Sequence, residues 1–173
     1  MGCPRDSGHA SFREGMIRQD YILREIERTI AFCIRLLGLK QDDEGWELEQ
    51  FLKEHCEGLT GMAYETLVST SSSDLVALLH HPGTASFARL VACGCVTCEA
   101  AEAARLGGDD DGARSLFMRG VEILTFTSGQ DDPDVRGHIV EHLARLRTRV
   151  DQFEFPPAGL QRLAALFAAA EPK

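Results

Sequence analysis

The sequence lacks any long uninterrupted run of apolar residues. None reaches the roughly 18 residues that a membrane-spanning helix requires, and no basic segment followed by an apolar stretch precedes the rest, as it would in a signal peptide. We therefore expect neither a membrane span nor export, and the sequence predicts a cytoplasmic protein. Because disulfides are rare in the cytosol, the six cysteines are expected to be reduced thiols.

The sequence also lacks an excess of basic residues. Lysine and arginine together number 18, against 27 for aspartate and glutamate, which gives a formal net charge of -9. Such a chain repels polyanions and offers no basic stripe for a phosphate backbone. Nucleic acid and anionic membranes are therefore not expected as partners.

Motifs that bind phosphate or position a catalytic nucleophile are missing as well. The sequence contains no glycine-rich phosphate loop, no G-x-S-x-G elbow and no convincing strand that would carry either of them. On this ground we assign no catalytic, cofactor-binding or metal-binding residue, and the sequence favours a protein that is not an enzyme.

Helical periodicity is what the sequence does contain. Ile22, Ile26, Ile30, Cys33 and Leu37 recur at three- and four-residue intervals, which is the pattern of an amphipathic helix. Similar patterns predict further helices, in the segments 46–59, 75–79, 85–106, 113–124, 135–150 and after 157. We therefore predict an all-α fold of six or seven helices, which short loops would arrange as antiparallel hairpins.

Local signals set the predicted boundaries of these helices. Gly38 and the pair Gly107-Gly108 stand where helices are expected to stop. Serines before Leu75, the acidic run 109–111 and Asp132 before Pro133 are placed to cap helix starts. Residues 1–15 show no apolar period and are predicted to be a disordered leader, so that 16–173 form a single helical domain and Met16 is a candidate start.

One predicted hairpin carries a known pattern of small and aromatic residues. Ala101, Gly108, Ala113, Phe117 and Gly120 resemble one tetratricopeptide repeat, in which small residues let two helices approach and the aromatic ring fills the space between them. The resemblance covers residues 97–124 and departs from the pattern at Thr97 and Ala104. It implies a tetratricopeptide-like, right-handed array of helices.

The wider chain resembles an uncharacterised bacterial helical domain family of unknown function. The resemblance rests on the opening helix "RQDYILREIERTIAFCIRLLGLK", on the central helix pair and on the closing segment "FEFPPAGLQRLAALF". It implies a tetratricopeptide-like fold and no activity.

Cys93, Cys95 and Cys98 form a dense cluster of thiols. On a helix, Cys95 and Cys98 lie about 60° apart, whereas Cys93 lies about 140° from Cys98 and about 160° from Cys95, so one straight helix cannot bring all three to one metal ion. A metal site would need a break at Gly94 and a further ligand from His80, His81 or Cys56. The neighbours of these cysteines are small and apolar, which favours packing in a central helix. A cysteine-based metal or redox sensor is kept as an alternative.

The segment "HIVEH" supplies a second alternative. His138 and His142 lie one turn apart, with Glu141 between them, in the order H-x-x-E-H of the inverted zincin motif. A metal-dependent hydrolase could use both histidines as ligands and Glu141 as base, but it needs a further acidic ligand that the sequence does not identify. In the competing interpretation, His142 borders the apolar stripe and His138 is exposed.

The function that the sequence favours is non-enzymatic. Arrays of helical hairpins expose grooves because each hairpin buries only one side. We therefore expect a protein–protein interaction or scaffold module that binds a protein or peptide, or that self-associates as a homodimer.

Overall fold

Helices form all the regular structure in the computed structural model of this protein, which describes residues 8–39, 45–81, 85–129 and 132–171. No strand occurs in these ranges, so the predicted all-α fold is confirmed. The α-helices are α1 (Gly8–Leu39), α2 (Gly45–Thr60), α3 (Tyr64–Ser69), α4 (Ser72–Leu79), α5 (Ala85–Leu106), α6 (Asp110–Thr127), α7 (Pro133–Arg147) and α8 (Pro157–Ala170), and a 3-10 turn spans Val150–Phe153. No helix within these ranges is both long enough and apolar enough to cross a membrane.

The predicted helix caps are confirmed. The Ser71 side chain accepts a hydrogen bond from the Asp74 amide at the start of α4. Asp109 accepts one from the Gly112 amide at 2.9 Å, and Asp132 accepts one from the Asp134 amide at 2.9 Å. Each side chain satisfies an amide that the first turn of a helix leaves without a partner.

α1 extends beyond both of its predicted ends. It begins at Gly8 rather than at Met16 and continues past Gly38 to Leu39. A glycine lowers helix stability by about 1 kcal/mol relative to alanine but does not by itself end a helix. The predicted leader overlaps α1 over residues 8–15, and its first seven residues lie outside the described part of the chain.

One further helix boundary and one additional helix differ from the prediction. α7 ends at Arg147, because the Thr148 and Arg149 amides bond to the Arg145 and Leu146 carbonyls three residues back. That tighter pattern leads into the 3-10 turn, so Val150 does not extend the apolar stripe of α7. The short helix α3 was not predicted.

α5 is the central helix. Every residue from Leu90 to Ala103 is buried, and α5 contributes to both hydrophobic clusters of the described chain. One cluster joins α5 to α1, α6, α7 and α8. The other joins it to α2, α3 and α4 and also includes Leu36 of α1 and Ile123 of α6. The expectation that this small, apolar segment forms a central helix is confirmed.

Glycine allows α5 and α6 to approach each other closely. A Cβ atom added to Gly94 would lie 2.8 Å from Leu124 Cγ, and one added to Gly120 would lie 2.9 Å from the Gly94 carbonyl oxygen and closer still to Cys98 Sγ. These distances are shorter than van der Waals contact. Phe117 is fully buried in the same cluster.

Candidate functional site

The H-x-x-E-H residues do not converge on one point. His138 Nε2 lies 3.4 Å from Glu27 Oε1 of α1, whereas Glu141 pairs with Arg145 at 2.6 Å. His142 is buried, with only 5% of its surface exposed. All three line a cleft of about 260 Å³ between α1 and α7. Within the described ranges, however, no three histidine, cysteine or acidic residues are placed to hold a metal ion.

His142 is a buried neutral histidine. Its pKa is lowered to about 4, chiefly by burial; the Glu99 carboxylate opposes this effect, and Arg149 and Arg145 add to it. Neither ring nitrogen has a hydrogen-bond partner. A neutral, enclosed imidazole is placed to pack rather than to exchange protons with a substrate, in agreement with its predicted position at the edge of the α7 stripe.

The three cysteines of α5 face different neighbours. Cys93 lies in the cluster that contains Cys56 of α2, whereas Cys95 and Cys98 lie in the cluster that contains Cys33 of α1. All five are buried, and none of them forms a disulfide. The predicted divergence of Cys93 from the other two and the predicted core packing are therefore confirmed, and α5 runs through Gly94 without a break.

The thiols lack the properties of a reactive site. Burial raises the pKa of Cys93 to about 12 and also raises the pKa of Cys56. The pKa of Cys95 is raised by its contact with the Cys33 thiol and by burial. A redox sensor needs an accessible thiolate, whereas all five thiols are buried and the raised pKa values of Cys56, Cys93 and Cys95 disfavour their thiolates.

A buried ionic cluster was missed in the sequence. Arg149 Nη1 donates to Glu99 Oε1 at 2.9 Å, and Arg149 Nη2 lies 3.5 Å from Glu102 Oε2. Arg105 Nη2 donates to the other oxygen of Glu102, also at 2.9 Å. Burial lowers the pKa of Arg149, but the two carboxylates outweigh this effect and raise it overall. The cluster ties α5 to the turn that follows α7, which is a structural role.

The strongest candidate for binding is a groove between α1 and α2, with a volume of about 410 Å³. We call it the α1–α2 groove. α1 contributes Arg28, Ala31, Phe32 and Arg35, and α2 contributes Phe51, Glu54, His55, Gly58 and Leu59.

Three stacked rings form the floor of the groove. The Phe32 and Phe51 ring centroids lie 5.5 Å apart with an angle of 16° between the planes, and Phe51 stacks on His55 at 4.2 Å. His55 Nδ1 donates to the Phe51 carbonyl at 2.9 Å, since a carbonyl can only accept. This bond fixes the imidazole against the phenyl ring. The aromatic floor is therefore held in place before any ligand binds.

Charged side chains stand on the two walls. Arg28 has 70% of its side chain exposed, and its nearest carboxylate, Glu25, is 3.9 Å away. Arg35 is exposed and forms no ion pair with a described residue. The opposite wall carries the exposed Glu54.

The groove also has open space along α2. A Cβ atom added to Gly58 would meet no atom within 4 Å. Past Gly58 and Leu59 the groove adjoins a smaller cleft of about 80 Å³, whose lining includes Tyr21 and Arg89. An elongated ligand would therefore find room along the helices.

None of the residues of this groove was identified from the sequence. By their helical period Phe51 and His55 share the apolar face of α2, and Arg28 and Arg35 belong to the polar face of α1. The spacing Arg28, Phe32, Arg35 places all three side chains on one side of α1, and it could have indicated a mixed aromatic and cationic surface.

Comparisons with models of protein families, with curated proteins and with solved structures found no match to this chain.

Proposed function

We propose that this protein is a non-catalytic interaction module that binds a segment of another protein in the α1–α2 groove. The observation that carries the proposal is the preformed aromatic floor of Phe32, Phe51 and His55, which is partly open to solvent in a groove of about 410 Å³. Aromatic side chains held rigid at the surface lose little conformational entropy on binding and are enriched in protein interfaces.

The expected arrangement of helical hairpins is part of this proposal. The contacts Gly94 with Leu124 and Gly120 with Cys98 advance along α5 as they go back along α6, which supports an antiparallel α5–α6 hairpin. A tetratricopeptide-like array of such hairpins would leave grooves between neighbouring helices. The α1–α2 groove has the form expected of one of them.

The shape of the groove favours a peptide segment over a small substrate. Its volume is within the range of about 300–1,000 Å³ that is typical of ligand sites. Its walls, however, consist of exposed side chains, Arg28, Arg35 and Glu54, rather than of an enclosing pocket. A ligand would lie along the helices and remain partly exposed, which suits a chain segment.

Two glycines provide a matched test. Gly58 lines the groove, whereas Gly137 lies in α7 away from it, and an added Cβ meets nothing within 4 Å at either position. Replacement by phenylalanine favours the helix at both positions, since glycine is the weaker helix former by a few tenths of a kcal/mol or more. Only Gly58→Phe places a ring in the groove, so only this variant is expected to block it.

The experiment selects linear peptides from a displayed random library on the full chain and measures their binding by fluorescence anisotropy. We expect selected peptides to bind the wild-type chain and Gly137→Phe equally, and Gly58→Phe at least about tenfold more weakly, a loss of about 1.4 kcal/mol. Gly58→Ala removes the glycine without placing a ring in the groove, and it should therefore bind the selected peptides as the wild-type chain does. If Gly58→Phe binds every selected peptide as well as Gly137→Phe does, the groove is not the binding site and the proposal is wrong.

A further inference from the structure

The charge of the α1 wall is opposite to the charge of the chain. The chain carries a net charge of -9, yet the residues that line the α1–α2 groove include two arginines and one glutamate. Among the described residues, Arg28 has one ion-pair partner, Glu25 at 3.9 Å, and Arg35 has none. At physiological salt, charges farther than about 8 Å are largely screened, so a ligand in the groove interacts mainly with the charges that line it, which are these two cations and Glu54.

The two arginines flank the aromatic floor along the groove. Arg28 and Arg35 are seven residues apart on α1, which corresponds to two turns or about 10 Å. Phe32 lies between them and stacks on Phe51. The order along this wall is therefore cation, aromatic ring, cation.

We infer that the occupant of the groove is an acidic peptide segment in extended conformation, with a large apolar or aromatic side chain between two carboxylates. The inference rests on the proposed function and specifies its ligand. In the polyproline II form of an extended chain each residue advances about 3.1 Å and three residues make one turn. Carboxylates three residues apart therefore lie on one side of the segment, about 9 Å apart, which matches the spacing of Arg28 and Arg35. The guanidinium group pairs with carboxylates through two parallel hydrogen bonds. The side chain between the carboxylates packs on Phe32 and Phe51, where aromatic pairs prefer offset or edge-to-face contact.

Charge reversal on α1 tests this chemistry with a matched control. Arg28 and Arg35 line the groove, whereas Arg24 is an exposed residue of the same helix that does not line it. The double variant R28E/R35E reverses both groove cations, and the control variant R24E reverses a cation of the same helix outside the groove. All three arginines are exposed, so the variants should fold, which circular dichroism and thermal unfolding would check.

The probes are the peptides that Gly58→Phe fails to bind. We expect them to be enriched in aspartate or glutamate at positions three apart around an apolar residue. R28E/R35E should weaken their binding by about 10- to 30-fold and R24E by less than about twofold, because close charge pairs contribute and distant ones are screened. Replacing both peptide carboxylates by amides should reproduce the loss on the wild-type chain and cause little further loss on R28E/R35E.

The possible results separate the inference from the function on which it rests. Peptides that depend on Gly58 but show no acidic enrichment, and that bind R28E/R35E normally, overturn the inference and leave the groove as a binding site. A complete absence of Gly58-dependent peptides contradicts both. A wild-type chain that is dimeric in solution and becomes monomeric in both Gly58→Phe and R28E/R35E would identify the occupant as a second copy, and would also overturn the acidic-peptide inference.

Discussion

The buried imidazole of His142 should make the stability of this protein depend on pH. Its pKa is about 4 in the folded chain, against 6.5 for an unperturbed histidine. Between these values the unfolded chain binds more protons than the folded chain, so the free energy of unfolding falls as the pH falls through this window. Between about pH 7.5 and about pH 5, two-state linkage gives a loss of about 2 kcal/mol from this residue alone.

The substitution His142→Leu tests this argument. Both ring nitrogens lack hydrogen-bond partners, so removing them costs no hydrogen bond, and leucine retains the apolar contacts of the site. The variant should therefore lose the pH dependence that His142 contributes. Relative to the wild-type protein, its free energy of unfolding should rise by about 2 kcal/mol on going from about pH 7.5 to about pH 5.

Urea unfolding at several pH values, followed by far-ultraviolet circular dichroism, measures this difference. The control is His138→Gln, which removes a half-exposed histidine from the same helix and keeps the buried imidazole of His142. Glu99, Arg149 and Arg145, the charged groups that act on His142, are unchanged in both variants. If the wild-type protein and His142→Leu show parallel pH profiles, His142 is not held neutral by burial and the argument fails.

Three further predictions concern the core. Arg149→Met removes the cation that pairs with the buried carboxylates of Glu99 and Glu102 and should lower the free energy of unfolding by about 3–5 kcal/mol, whereas Arg147→Met, at an exposed ion pair, should cost less than about 1 kcal/mol. Equal costs in urea titrations would contradict a stabilising role for the cluster. Gly120→Ala should lower the free energy of unfolding by about 1–3 kcal/mol, because its Cβ would overlap Cys98 Sγ and the opposing backbone. An unchanged stability in thermal unfolding would mean that α5 and α6 are not in close contact. The buried thiols of α1, α2 and α5 should react with an alkylating reagent only as fast as the chain unfolds. Mass spectrometry of samples labelled with and without urea measures this rate. Rapid labelling under native conditions would instead favour the redox alternative.

Features that depend on neighbouring residues in the sequence could be predicted. Asp109 and Asp132 cap α6 and α7 because a short acceptor side chain reaches amides two or three residues ahead, whatever the rest of the fold does. The central position of α5 could also be predicted, because Leu90 and Ala103 bound a segment whose residues are mostly small and apolar on every side. These inferences need only the period of the helix.

The same reasoning failed where tertiary contacts decide the outcome. Glu99 and Glu102 look like solvated residues on a helix, since isolated carboxylates are rarely buried. Glu102 has a local partner in Arg105, but both carboxylates also pair with Arg149, about 50 residues away. No local pattern indicates this distant partner. The end of α7 was missed for a related reason, because the apolar Val150 continues the spacing of the stripe while the backbone has already changed to three-residue hydrogen bonds.

The α1–α2 groove depends both on local sequence and on tertiary contacts. Phe32 and Phe51 each lie at positions that a helical wheel assigns to one helix surface, and both pack against the hydrophobic core. Whether such a ring is fully covered or left partly open depends on how far apart the two helices lie, which neither helix encodes alone. Arg28 and Arg35, by contrast, are separated by two turns of a single helix, so their alignment with Phe32 follows from the sequence. A search for cations that flank an aromatic residue at the spacing i, i+4, i+7 would thus find the cationic wall of such a groove, and the position of the second helix would decide whether it can bind.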